Sequence, residues 1–353
     1  MRKRLGRKHL GRMRLGLPLA IFAAAVAAQS SYAQTPAQFF AGKTVKIIIG
    51  FSPAGTYGQY SQLMARHIKK HVPGNPAIIV QSVRGAGGIA ALNYLANIAP
   101  QDGTVLITAP INVVQDGLLN LKAQYDPAKF QWIGRTMELV QLGVVTQKSG
   151  ITTLADATKK SINAGGIGAT NPTSMNWKII NKILGTKFNI ISGYKGLPDA
   201  TLAFTRGEVD AVMMNWETAV QRFPNEMKSG KFKPLFAYSS GPVAEVKGLT
   251  ALGQIGKTDV QKAFLRVYTV GPRIGRSLAV YGSVPSERLA MWRKSFDAML
   301  KDAEFLAEVN KRKMRFDPLP GTEVAKFVGE SMQFSKETLA GVKDFYKQLT
   351  SEK

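Results

Sequence analysis

Apolar positions along this chain switch repeatedly between two spacings. The run KTVKIIIG, residues 43–50, is rich in β-branched side chains and ends on a glycine, which predicts a buried strand. From Gln62 to His71, Leu63, Met64 and Ile68 fall on or near one face. This predicts a helix, stopped by the PGNP of residues 73–76. Residues 77–83 (AIIVQSV) read as a second strand, residues 90–98 as a helix after the Gly85–Gly88 turn, and TVLITA at 104–109 as a third strand. A second series begins with LVQLGVVT at 139–146. It continues with a helix at 154–159, a strand at 161–164, a helix at 175–184, a strand at 188–191 and a helix at 198–206. EVDAVMM and then KPLFAYS close the set, and from about Ser286 the pattern is mainly helical. Strands alternating with helices predict α/β units with mainly parallel sheets. Two such units with a cleft between them are expected, with ligand beyond the carboxyl ends of the strands.

Composition narrows the function. The first residues carry Arg2, Lys3, Arg4, Arg7, Lys8, Arg12 and Arg14, followed by an apolar run over residues 15–28 and then Ser31-Tyr32-Ala33. That is the order of a secretory signal peptide, cleaved after Ala33; the apolar run is shorter than a membrane span needs. The chain has no cysteine, so it offers neither a disulfide framework nor a thiolate site. An exported protein of this kind suits a bacterial periplasm. Formal net charge is +24; seven of those charges lie in the acid-free first 33 residues, leaving +17 on the remainder. Such a field attracts anions. The basic residues are dispersed, and no stripe of aromatics interleaves with them, so nucleic acid is not the expected partner.

Three familiar motifs fail. Gly50 to Thr56 has the glycine spacing of a phosphate loop but lacks its lysine. Gly85-Ala-Gly87-Gly-Ile-Ala90 matches a dinucleotide fingerprint, yet the first acid beyond it, Asp102, comes too early for the ribose. His67 and His71 are four apart, with Lys69 and Lys70 between them and no acid nearby in sequence; solvent exposure is expected rather than metal. Neither a catalytic base nor a cofactor site is expected.

Four glycine-bearing loops remain: Ser52–Gly58, Arg84–Gly88, Gly165–Ser174 and Gly193–Gly196. Each follows a predicted strand, and the first three lead into helices. Helix N-termini present free N–H groups and partial positive charge, and so suit a carboxylate. Thr56, Thr170, Asn171, Thr173 and Ser174 add side-chain donors. Trp216, in MMNWETAV, has the shape to stack on a ligand ring, with Glu217 beside it as an acceptor; packing at a domain edge is the favoured explanation of the tryptophan.

These loops resemble the TctC/Bug family, the periplasmic solute receptors of tripartite tricarboxylate transporters. The stretches KTVKIIIGFSPAG, RGAGGIAALNYLANIAPQDGTVL, NAGGIGATNPTSMNW and GYKGLPDATLAFTRGEVDA carry the likeness across most of residues 40–330. It implies a two-domain Venus-flytrap fold, periplasmic and monomeric, with a small organic carboxylate as ligand, membrane permease subunits as partners, and no enzymatic activity. The implied ligand loops are Ser52, Pro53, Ala54, Gly55, Thr56 and Tyr57, and Gly168, Ala169, Thr170, Asn171 and Thr173, with Tyr194 and Lys195 near the cleft. The expected division is a signal peptide at 1–33, one domain of 34–138 plus 273–353, and a second of 139–272, hinged near 138–141 and 270–276. Many relatives carry an acid where this chain has Gly58, which implies that a ligand with a free amine is not favoured. A receptor that presents its ligand to a sensor, and a hydrolase, are the rival readings.

Overall fold

The computed structural model describes residues 34–120, 122–168 and 170–351, so the expected signal peptide lies outside the described residues. The chain begins with α1 (Pro36–Phe40), β1 (Thr44–Ile49), α2 (Thr56–Ile68), β2 (Ala77–Ser82), α3 (Ile89–Asn97), β3 (Val105–Thr108), α4 (Val113–Leu119) and β4 (Phe130–Arg135). A second series follows: β5 (Gln141–Thr146), β6 (Ile162–Gly166), α5 (Pro172–Leu184), β7 (Phe188–Ser192), α6 (Leu197–Arg206), β8 (Ala211–Asn215), α7 (Trp216–Arg222), α8 (Pro224–Lys228), β9 (Phe232–Tyr238) and β10 (Thr250–Ala251). The return runs through α9 (Asp259–Ile274), β11 (Ser277–Tyr281), α10 (Ser286–Met299), α11 (Ala303–Lys311), β12 (Leu319–Pro320), α12 (Gly321–Ser331) and α13 (Lys336–Ser351).

Two six-stranded sheets result, ordered β12-β4-β11-β3-β1-β2 and β10-β9-β5-β8-β6-β7. Both are mixed. The β1–β2, β1–β3, β6–β7 and β6–β8 pairs are parallel, as the alternation predicts. The antiparallel strands inside the sheets are β11, between β3 and β4, and β5, between β8 and β9. Each of these begins where the chain has just crossed from the other sheet. It therefore runs away from the crossing, while its neighbours run toward it. A hydrophobic pattern does not record that direction.

Each sheet is buried on both faces. Val45 and Ile47 of β1 pack under α2 and α10 with Leu63, Trp292 and Phe296, whereas Ile48 faces Leu92, Val113 and Val270 on the other side. In the second sheet Ala211 and Met213 meet α5, α9 and α13, and Val212 and Met214 meet α6. Helix α9 serves both sheets. Its Phe264 and Tyr268 belong to the second core, its Val267, Val270 and Ile274 to the first. The final helix α13 inserts Val342, Phe345 and Leu349 into the core of the second sheet.

Among the sequence expectations, two helices begin earlier than their apolar spacing suggests. Helix α2 starts at Thr56, because Tyr57, Tyr60 and Ser61 are also buried. Helix α5 starts at Pro172, with Asn171 as its N-cap accepting the Thr173 N–H. The expected helix at 154–159 is only a short turn over Asp156–Thr158, where the Asp156 carboxylate binds the N–H groups of Thr152 and Thr153.

Candidate functional site

The chain crosses side by side at 136–140 and 272–276. Thr136 N–H donates to Arg276 O, Arg276 N–H to Met137 O, and Leu139 N–H to Pro272 O, each at 3.0 Å. These are the segments expected to hinge. Gly275 has φ +54°, and a Cβ there would run into the Met137 carbonyl. Only glycine both adopts this backbone and lets the two segments touch.

That contact sets the position of the next residue, Arg276, which is 4% exposed. Its guanidinium lies 3.8 Å from the centre of the Tyr57 ring, and Tyr57 stacks on Phe51 at 4.3 Å. Nη2 donates to Thr56 Oγ1 at 2.8 Å and Nη1 to Gly275 O at 3.2 Å, while Nε is buried without a partner. Its hydrogen bonds therefore end on neutral oxygens. Tyr57 is fixed from its far end, where its hydroxyl accepts the Ile111 N–H at 2.9 Å. Burial raises its pKa further above the usual phenol value, against the pull of Arg276.

These groups form one wall of a cavity of ≈ 540 Å³ between the two sheets. The first sheet's side adds Ala86 and Gly87 of the second glycine loop, and Asn112, Asp116 and Asn120 along α4. The facing side supplies Gln141, Asn215, Leu197 and the loop Ile167, Gly168, Thr170, Asn171, Pro172 and Thr173. Asp116 is 5% exposed; its carboxylate accepts from the Asn112 amide, and burial pushes its pKa up to about 6. Gln141 donates to Asn215 Oδ1 at 3.0 Å, and its Oε1 is buried without a partner.

Of the residues named from sequence, Thr56, Tyr57, Gly168, Thr170, Asn171 and Thr173 line this cavity. Ala169 lies outside the described residues. Ser52, Pro53, Ala54 and Gly55 form an exposed turn ahead of α2 and are not among the lining residues. Tyr194 packs beside the core under α6, Lys195 is exposed, and Trp216 packs against the core that holds Val140 and Met214; none of the three lines the cavity. Thr173 is committed within its own loop: its hydroxyl donates to Asn171 Oδ1 at 2.9 Å and accepts the Ile167 N–H at 3.0 Å.

Sequence reasoning named Arg276 and Gln141 only as hinge bounds, and passed over Asn112 and Asp116 altogether. They sit in ordinary apolar or amide-rich stretches, and only the crossing and the α4 face bring them together.

Gly58 is tightly packed. A Cβ there would overlap the Pro53 carbonyl, so the 52–55 turn as it stands covers this position and leaves no room for a side chain. The histidines differ from expectation. His67 is 7% exposed and bonds Glu308 Oε2 at 2.9 Å, and His71 bonds Asp302 Oδ2 at 3.2 Å; both acids come from around α11, more than 200 residues away. His67, Asp302 and Glu304 are close enough together for a cation. Lys70 Nζ, 2.6 Å from Glu304 and 3.2 Å from Asp302, already supplies the positive charge there.

No protein-family model and no curated protein matches this sequence. Solved structures do match. A TctC solute-binding protein from Polaromonas is 17% identical, with TM-score 0.63, over 87% of this chain and 98% of that one. The periplasmic binding protein BugD is 16% identical, with TM-score 0.58, over 87% and 97%. MatC from Rhodopseudomonas palustris, with bound malate, is 18% identical, with TM-score 0.57, over 85% and 99%. Among the described residues no helix is long and apolar enough to cross a membrane. Over most of its length, this chain has the fold of the TctC and Bug periplasmic solute-binding proteins.

Proposed function

We propose that this protein is a periplasmic solute-binding receptor, without enzymatic activity, that captures a small organic carboxylate between two lobes. It then delivers the ligand to the membrane permease subunits of a tripartite tricarboxylate-type transporter. The lobes are residues 34–138 plus 273–353 and residues 139–272, with α13 reaching across to the second. The observation that carries the reading is Arg276. A buried guanidinium that hydrogen-bonds only neutral oxygens has no carboxylate in direct contact, Glu217 acting on it only through space, and a buried charge is costly unless paired. An anion entering the cavity supplies the pair. The adjacent N-terminus of α2, whose N-cap Gly55 has no side-chain cap, adds positive potential on the same side. The cavity volume suits a small molecule. Malate in MatC is a ligand of the kind proposed. Thr56 and the Gly168–Thr173 loop grip the carboxylate from opposite lobes; the Ser52–Gly55 turn, Tyr194, Lys195 and Trp216 reach it only as the lobes close.

A thermal-shift screen of organic acids, followed by calorimetry on the best binder, tests this. Arg276→Gln and Thr56→Val each remove a hydrogen bond that holds or carries charge. Such bonds are worth about 1.5–3 kcal/mol, so affinity falls roughly 10- to 150-fold. Wild-type affinity in both variants places the ligand elsewhere.

A further inference from the structure

The cavity has two charged poles. Arg276 stands at one, against Thr56 and Tyr57. Asp116 stands in the wall formed by α4, where its hydrogen-bond partners are the neutral amides of Asn112 and Asn120. Arg276 and Asp116 are not hydrogen-bonded to one another; each keeps its own neutral partners. Both are more than nine-tenths buried. A dicarboxylate pairs with Arg276 through one end only. Its second carboxylate would meet the wall that carries the buried Asp116 carboxylate, where like charges repel.

We propose that Asp116 makes this cavity select a monocarboxylate bearing an N–H or O–H donor at its far end over the dicarboxylate of equal length. The anionic end lies against Arg276 and Thr56, and the donor end against Asp116. Specificity then comes from a repulsive element as much as from an attractive one. The inference rests on the carboxylate reading above and adds the chemistry of the second pole.

The test uses matched probes of four to six carbons: the dicarboxylates succinate, glutarate and adipate, their monoamides, and the ω-amino acids of the same lengths. Calorimetry on the wild-type protein is expected to rank a monoamide or ω-amino acid at least tenfold tighter than the dicarboxylate of the same length. In Asp116→Asn the dicarboxylate should gain at least fivefold while the amino acid loses, so the ratio narrows or inverts. Dicarboxylates that bind wild type as tightly as their donor-ended counterparts overturn the proposal, whether or not the variant folds. So does a ratio unchanged in a folded Asp116→Asn. In either case, loss of dicarboxylate affinity in Arg276→Gln leaves the carboxylate reading standing. If no probe of any series binds, the carboxylate reading fails, and the two-pole selectivity fails with it.

Discussion

At the scale of single residues, Gly58 and Asp116 make opposite demands. Gly58 is small because the Pro53 carbonyl occupies the place of its Cβ. Gly58→Ala should displace the 52–55 turn and cost about 1–3 kcal/mol, the usual price of overpacking. Urea denaturation checks this, and unchanged stability would mean that the turn has room to give. Asp116 carries a cost already present. Burial raises its folded pKa to about 6 from 3.8, with Asn112 and Asn120 pulling the other way. A raised acid favours its protonated form in the folded state. Its contribution is therefore fully present below the unfolded pKa and is lost as pH rises through the folded one. Above pH 6 the ionised carboxylate should cost folding about 3 kcal/mol. Asp116→Asn is then more stable than wild type at pH 7, and the difference fades toward pH 4. Chemical denaturation at the two pH values decides; a gap independent of pH removes burial of the charge as the cause.

At the scale of elements, the paired crossing segments hold the site together. Arg276 is held at the cavity wall because it stands between Gly275, pressed against Met137, and the start of β11 at Ser277. Gly275→Ala combines a left-handed φ with a collision against backbone, so it should destabilise by about 1–3 kcal/mol. Ligand affinity should fall as well, since Arg276 would shift with β11. Denaturation and calorimetry on the same preparation check both effects. A variant that loses stability but binds normally would separate the crossing from the site. The helix starts were hard to read for a related reason. Residues 56–61 combine a glycine, hydroxyls and two tyrosines, which do not look like an apolar stripe, yet Tyr57, Tyr60 and Ser61 are all buried.

At the scale of the molecule, two sheets joined by a double crossing and by α9 suit a closing motion. Ion pairing bridges them at one point already: Arg315, from the loop after α11, pairs with Glu245 of the second series. We expect small-angle scattering to show a smaller radius of gyration when the ligand from the screen saturates the protein. An unchanged radius at saturation would mean that the lobes bind without closing. The +17 charge on residues 34–353 acts at this scale too, by drawing anions toward the cleft.

Local chemistry was enough to read the alternation of strands and helices, the two series and the glycine-bearing turns, because period and turn residues are properties of neighbours in the chain. The same holds for Thr56, Gly168, Thr170 and Asn171, which stand on recognisable strand-to-helix turns. What local chemistry does not contain is which way a strand runs after a crossing, or which distant side chains meet. Tertiary structure alone made both sheets mixed. It gave His67 and His71 their carboxylates from around α11 and left no room at Gly58. It also set Arg276 and Asp116 in one cavity although 160 positions separate them in sequence. Their meeting depends on Gly275 against Met137 and on α4 packed beside α9, long-range contacts that no spacing along the chain encodes.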